Sequence, residues 1–161
     1  MITYHNGDIL KSGADYICHQ VNCKGVMGAG LALQIRNLYP KLYDDYKQFC
    51  EASGKNMLGH IILYSVNLKS RNYYHTMIIS MFAQEDYGTN KVQTDYNAFE
   101  SCVRKIIVEA EMSNYDIPYK PVIAFPYKIG CGLAGGDWDI VKGIIEKYDK
   151  EWLDIQIWKL G

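Results

Sequence analysis

Short apolar runs alternate with helix-period stripes along this chain, and that alternation constrains its fold more than any other feature. Ile2–Tyr4, Tyr16–Val21, His60–Ser65, Tyr73–Phe82 and Val122–Phe125 read as strands, with Ile155, Ile157 and Leu160 marking a last one. Between them lie stripes at helical spacing. Leu31, Ile35 and Leu38 stop at Pro40. Leu42, Tyr46, Phe49 and Cys50 share one side of a second helix that ends near Ser53-Gly54. Phe99, Val103, Ile106, Ile107 and Ala110 form the strongest stripe, opened by Thr94 with Thr94 or Asp95 as cap. Trp138, Val141, Ile145 and Tyr148 make the last helix. This order predicts an α/β fold with a central sheet covered by helices on both faces. A short polar loop joins the segments at 60–65 and 73–82, so the sheet is expected to be mixed, whether that pair is a hairpin or is split in the sheet.

Composition narrows the class. The 161 residues make one domain, 1–161, large enough to bury a core without disulfides or a structural metal. A net charge of -1 argues against a long phosphate-tracking surface. No apolar run approaches the roughly 18 residues of a membrane span, and the opening MITYHNGDIL has no signal-peptide pattern. Cys18, Cys23, Cys50, Cys102 and Cys131 are odd in number and irregularly spaced, which fits reduced thiols in a cytoplasm. None pair as C-x-x-C, so neither a zinc site nor another metal is expected.

Two glycine-rich segments concentrate the chemistry. Asn22-Cys23-Lys24-Gly25-Val26-Met27-Gly28-Ala29-Gly30 and Gly130-Cys131-Gly132-Leu133-Ala134-Gly135-Gly136-Asp137 each follow a predicted strand and open a predicted helix. Glycines let the backbone approach a ligand closely, and a helix start adds free N–H groups and partial positive charge. Two such cradles suit a diphosphate. A tight strand-to-helix turn explains either loop alone about half the time, but explains both less well. Gly130, Gly132 and Gly135 spell G-x-G-x-x-G, yet too little chain follows for a dinucleotide fold with its acidic residue. No Gly-Lys-Ser or Gly-Lys-Thr is present for a P-loop.

The residues Asn6-Gly7-Asp8-Ile9, His19-Gln20-Val21-Asn22, Met27-Gly28-Ala29-Gly30-Leu31-Ala32 and Ile129-Gly130-Cys131-Gly132-Leu133 followed by Trp138 resemble the macro domain, an ADP-ribose-binding module. The resemblance spans nearly the whole chain. It is strongest to the ADP-ribose-1''-phosphate processing proteins and terminal ADP-ribose glycohydrolases, and extends to compact bacteriophage proteins. It implies a three-layer α/β/α sandwich. It also implies that Asp8 accepts from the adenine amino group, a role a carboxylate suits, and that the Ile9 amide meets the adenine ring. Met27, Gly28, Ala29 and Gly30 on one side, with Gly130, Cys131, Gly132, Leu133 and Ala134 on the other, would grip the diphosphate. Asn22 would reach the distal ribose, with a turn-forming asparagine as the alternative, and Phe82 would stack near it, although a core aromatic is the more common fate of such a residue.

The catalytic pattern is incomplete. The resemblance implies an aspartate directly after Gly-Cys-Gly-Leu, where this chain has Ala134, and a lysine after the strand ending Ser80-Met81-Phe82, where none lies. Lys91 is nearby but not tied to the site, so covalent lysine catalysis is not expected. His19, which has a counterpart before the Asn in yeast-type ADP-ribose-1''-phosphate phosphatases, could activate water if its pKa lay near neutrality. A buried histidine satisfying a carbonyl is the plainer reading. Asp137 could orient water, or could cap the helix beginning at Trp138. Asn22 completes the candidate catalytic set. Glu85 and Asp86 could face the distal pocket or solvate a loop. Cys23 and Cys131 read as packing residues, since a thiolate beside phosphate is disfavoured. Tyr87-Gly88 and Thr94-Asp95-Tyr96 resemble a lid and a helix start. Two functions stay open: a phosphatase or hydrolase of ADP-ribose 1''-phosphate or terminal ADP-ribose linkages, and a non-catalytic reader of ADP-ribose or an ADP-ribosylated macromolecule. Neither needs a cofactor or a membrane. The polar helical faces fit a monomer.

Overall fold

A computed structural model describes residues 2–66, 76–114 and 119–161, with the side chain of Asn114 set aside. Six strands form one sheet in the order β1-β6-β5-β2-β4-β3. The strands are β1 (Thr3–Asn6), β2 (Tyr16–Val21), β3 (Ile61–Val66), β4 (Thr76–Phe82), β5 (Val122–Pro126) and β6 (Asp154–Lys159). All neighbours run parallel except β3, which pairs antiparallel with β4 at the edge. The mixed sheet expected from the sequence is therefore present, with the segments expected at 60–65 and 73–82 as antiparallel neighbours at one edge. The expected start of the fourth strand, 73–75, lies outside the described residues.

Helices cover both faces. α3 (Tyr96–Asn114) and α4 (Trp138–Lys147) pack on one, burying Phe99, Val103, Ile106, Val141 and Ile145. α1 (Gly30–Leu38) and α2 (Pro40–Ser53) pack on the other through Ile35, Leu42, Tyr46 and Cys50. Strand β2 feeds both layers by alternation: Tyr16 and Cys18 face α3, while Ile17 and Val21 face the opposite side. Each fully buried side chain of the size of Phe99 contributes about 1.5–3 kcal/mol.

Phe49 and Leu38 differ from the sequence reading, and of its two α3 cap candidates one is selected. Phe49 and Leu38 are exposed, because Cys50 and Ile35 occupy the inward positions of their turns. The α3 cap is Asp95, whose Oδ1 accepts from Ala98 N at 3.0 Å, and the helix starts at Tyr96. Thr94 instead donates its hydroxyl to the Gly130 carbonyl at 2.6 Å.

The parallel strands β1, β6, β5, β2 and β4 all end on one edge of the sheet. The loops after them gather there, at the carboxyl ends where open α/β sheets bind ligands.

Candidate functional site

Three cavities adjoin along this edge. The first, about 460 Å³, lies among Gly7, Asp8, Ile9, Leu31, Gln34, Tyr127, Lys128, Trp158 and Lys159. The second, about 250 Å³, lies between Ala29–Ala32 and the segment Lys128–Gly130 with Gly132, Leu133 and Ala134, above His19 and Gln20. The third, about 390 Å³, is bounded by Asn22, Val26–Ala29, Gln84, Tyr87–Thr89, Leu133 and Ala134. Gly30, Leu31, Pro126, Tyr127 and Lys128 line both the first and the second. Gln20, Ala29, Ala32, Gln84, Leu133 and Ala134 line both the second and the third. The result is one groove crossing the sheet edge from β1 to β4.

Loop one is shaped by Asn22. Its Oδ1 accepts from Lys24 N at 3.0 Å and Val26 N at 3.3 Å, and its Nδ2 donates to Val26 O at 2.7 Å. Helix α2 holds the loop from beneath: the Tyr46 hydroxyl meets Asn22 O and Oδ1, each at 2.8 Å, and Tyr43 donates to Gly25 O at 2.9 Å. Asn22 thus spends its amide on the loop, matching the turn-forming alternative rather than a free amide aimed at a ligand, although it still lines the third cavity.

Loop two is clasped by the segment 83–95. Gln93 N donates to Ala134 O at 2.8 Å, and Tyr96 Oη accepts from Asp137 N at 2.9 Å. Gln20 ties three segments together, donating from Nε2 to Gln84 Oε1 and Thr94 Oγ1, both at 2.9 Å. Its Oε1 is buried without a hydrogen-bond partner among the described residues. Gly130 has φ +74, and a Cβ there would lie 2.6 Å from that oxygen, so only glycine fits.

His19 is buried on β2, its Nε2 2.8 Å from Ser80 Oγ on the adjacent strand. Its Nδ1 has no hydrogen-bond partner among the described residues. Burial pushes its pKa down to about 4, well below the near-neutral value expected. The ring is therefore neutral at physiological pH and a weak base. Its hydrogen-bond partner is a hydroxyl rather than the carbonyl of the plainer reading.

The structure brings Asp8, Ile9, His19, Asn22, Met27, Gly28, Ala29, Gly30, Gly130, Gly132, Leu133 and Ala134 onto the groove. Asp8 also caps a short 3-10 turn, accepting from Leu10 N at 2.9 Å through Oδ1. Three expected site residues lie elsewhere. Phe82 is fully buried against Tyr46, with ring centroids 5.7 Å apart, because its position on β4 points into the α2 layer. Cys131 turns under loop two, donates Sγ–H to Ile129 O at 3.3 Å, and lines none of the three cavities. Asp137 is exposed and caps α4 by accepting from Asp139 N at 2.9 Å, also outside all three cavities. Glu85, Asp86 and Lys91 face a separate polar hollow behind the 83–95 segment. Burial pushes the Cys23 and Cys131 thiols up to about 11, in keeping with packing roles. Gln20, Gln84, Tyr127, Lys128, Trp158 and Lys159 escaped the sequence reading. A polar Gln inside an apolar strand was the one available signal. Among the described residues no group of three or more His, Cys, Asp or Glu side chains is placed to hold a metal.

The model of the Macro domain family matches residues 18–145. This chain is a macro domain. The macro domain is 36% identical over 164 residues to the ADP-ribose 1''-phosphate phosphatase of Saccharomyces cerevisiae, covering 91% of this chain and 92% of the relative. It is 28% identical over 153 residues to an uncharacterized 17.5 kDa protein of Enterobacteria phage T4, covering 94% and 92%. Its fold is also that of Thermosipho africanus DarTG, solved in complex with ADP-ribose, at a TM-score of 0.73 and 22% identity over 98% of this chain and 41% of the other. No helix among the described residues is long and apolar enough to cross a membrane.

Proposed function

We propose that this macro domain binds ADP-ribose along the groove and acts as a phosphatase on ADP-ribose 1''-phosphate. The observation that carries the reading is the continuous groove with a carboxylate and a backbone amide, Asp8 and Ile9, at one end, two glycine cradles in the middle, and an uncharged pocket beyond them. Adenine sits at Asp8, the diphosphate between Ala29–Ala32 and Gly130–Ala134, and the distal ribose in the third cavity. The relative that shares 36% identity with this chain bears the same activity in its name.

His19 lines the second cavity, beneath the diphosphate, and not the third, so it shapes the site rather than taking the proton. The phosphate's own oxygens take the proton from water as the water oxygen bonds to phosphorus. The bond from phosphorus to the ribose oxygen breaks, and that oxygen takes up the proton released by the attacking water to leave as the 1''-hydroxyl. Backbone amides of the two loops stabilise the charge developing on the phosphoryl oxygens. Asp137 has no part in this step.

The second reading, a non-catalytic reader, draws on the third cavity, whose lining holds no charged side chain. Phosphate release from ADP-ribose 1''-phosphate separates the two. Release that disappears in Asp8→Ala supports a phosphatase acting in this groove. Clear binding without release by the unaltered protein supports the reader, and release unchanged in Asp8→Ala puts the chemistry elsewhere.

A further inference from the structure

We infer that the adenosine end of the groove carries a second anion site, suited to a phosphate ester on the adenosine ribose. The inference rests on the proposed placement of ADP-ribose. With adenine at Asp8 and the diphosphate between the glycine loops, the adenosine ribose lies at the neck where the first two cavities meet. Tyr127 and Lys128 line that neck, together with Gly30, Leu31 and Pro126.

The charge along the groove is lopsided. Lys128 and Lys159 both line the first cavity, whereas the third has no charged lining at all. ADP-ribose itself is uncharged at its adenosine end, and its diphosphate already meets two amide cradles. Lys159, which lines the first cavity and not the second, is therefore in excess of what ADP-ribose requires, and Lys128 reaches from the diphosphate cavity to the same neck. Both ammonium groups flank one ring, Lys128 Nζ at 5.6 Å and Lys159 Nζ at 5.3 Å from the Tyr127 centroid. Cation–π contact steadies an ammonium while leaving its N–H groups free to donate. Among the described residues neither lysine has a carboxylate partner. Asp8 is the one acid on the same cavity, and its Oδ1 is engaged by Leu10 N.

Lys128 supplies an independent sign. Its φ of +58 makes it the single non-glycine residue in the left-handed region among the described residues. That backbone suits Gly or Asn, and held strain of this kind gathers at ligand-binding positions. Here it sets a long cationic side chain at the neck. Two mobile ammonium groups can close on one doubly charged phosphate on the ribose 2' or 3' oxygen through charge-assisted hydrogen bonds.

The test compares ADP-ribose, 2'-phospho-ADP-ribose and 3'-phospho-ADP-ribose by titration calorimetry on the unaltered protein and on the double variant Lys128→Asn, Lys159→Gln. Asn tolerates the left-handed backbone, and both positions are exposed, so the variant folds. One of the phosphorylated ligands binds about tenfold tighter than ADP-ribose, and the preference shrinks as salt is raised to about 0.5 M. In the double variant the ratio falls to about one. The two probes distinguish the 2' from the 3' position. Equal or weaker binding of both, or a preference that survives in the variant, overturns the inference while leaving ADP-ribose binding in place. Failure of ADP-ribose itself to bind overturns the proposed function and this inference together.

Discussion

Tyr46 reaches Asn22 twice, its hydroxyl lying 2.8 Å from both the backbone carbonyl and the side-chain oxygen of the asparagine. One buried hydroxyl on α2 thereby fixes the loop that forms one wall of the groove. Tyr46→Phe leaves buried acceptors short of a donor, which costs about 1–3 kcal/mol. Urea unfolding is expected to show that loss, and ADP-ribose titration a weaker affinity as loop one loosens. Unchanged stability and affinity would mean that Asn22 shapes the loop without help from α2.

His19 makes stability depend on pH. The unfolded chain takes up this proton near 6.5, the folded chain only near 4. Between those values the unfolded state binds more protons, so falling pH favours unfolding. The loss from His19 alone is on the order of 3 kcal/mol once pH is below both values. Urea unfolding of the unaltered protein and of His19→Asn at a series of pH values isolates it as the difference between the two curves. Parallel curves would contradict a depressed pKa. The same shift predicts that turnover shows no acid limb near 6.5 from this residue.

Gly132 and Gly130 give opposite outcomes from positions two residues apart. A Cβ at Gly132 meets nothing within 4 Å, and no positive φ restrains it. Gly132→Glu is expected to fold with stability within about 0.5 kcal/mol of the parent, and to lose ADP-ribose binding by more than about tenfold through repulsion of the diphosphate. Gly130→Ala places its Cβ 2.6 Å from Gln20 Oε1 and 3.1 Å from Thr94 Oγ1 at φ +74, so it is expected to lower the melting temperature. Retained binding in Gly132→Glu would put the diphosphate elsewhere.

The loop cysteines should be sluggish. With its pKa raised to about 11 by burial and by the nearby Asp137, the half-buried Cys131 thiol holds little thiolate at neutral pH. Its alkylation by iodoacetamide is expected to run roughly a hundredfold slower than that of a free cysteine. Rapid labelling at neutral pH would mark it as a nucleophile.

What the sequence showed follows from periodicity and glycine chemistry. Strand–helix alternation, the Phe99–Ala110 stripe and the two loops were legible because each depends on local spacing. Phe49 was not, and for Phe82 the sequence left open a core place and one near the ribose. Whether an aromatic at a strand end or a helix turn faces core or solvent depends on the layer packed against it, and Tyr46 decides this for Phe82. Gln20 and Thr94 act through partners distant in the chain, Gln84 and Gly130, which no local pattern reveals. Asp137 bore two readings, and the bond from Asp139 N selected the cap. Lys128 stood out only through its backbone angle.

The most direct test of the groove is titration of the purified protein with ADP-ribose, alongside Asp8→Ala with its fold checked by circular dichroism. Saturable binding of one equivalent is expected. The substitution should weaken it by about 1.5–3 kcal/mol, the range for a hydrogen bond to a charged group. No binding, or equal affinity in a folded Asp8→Ala protein, would contradict the placement of adenine at Asp8 and the account built on it.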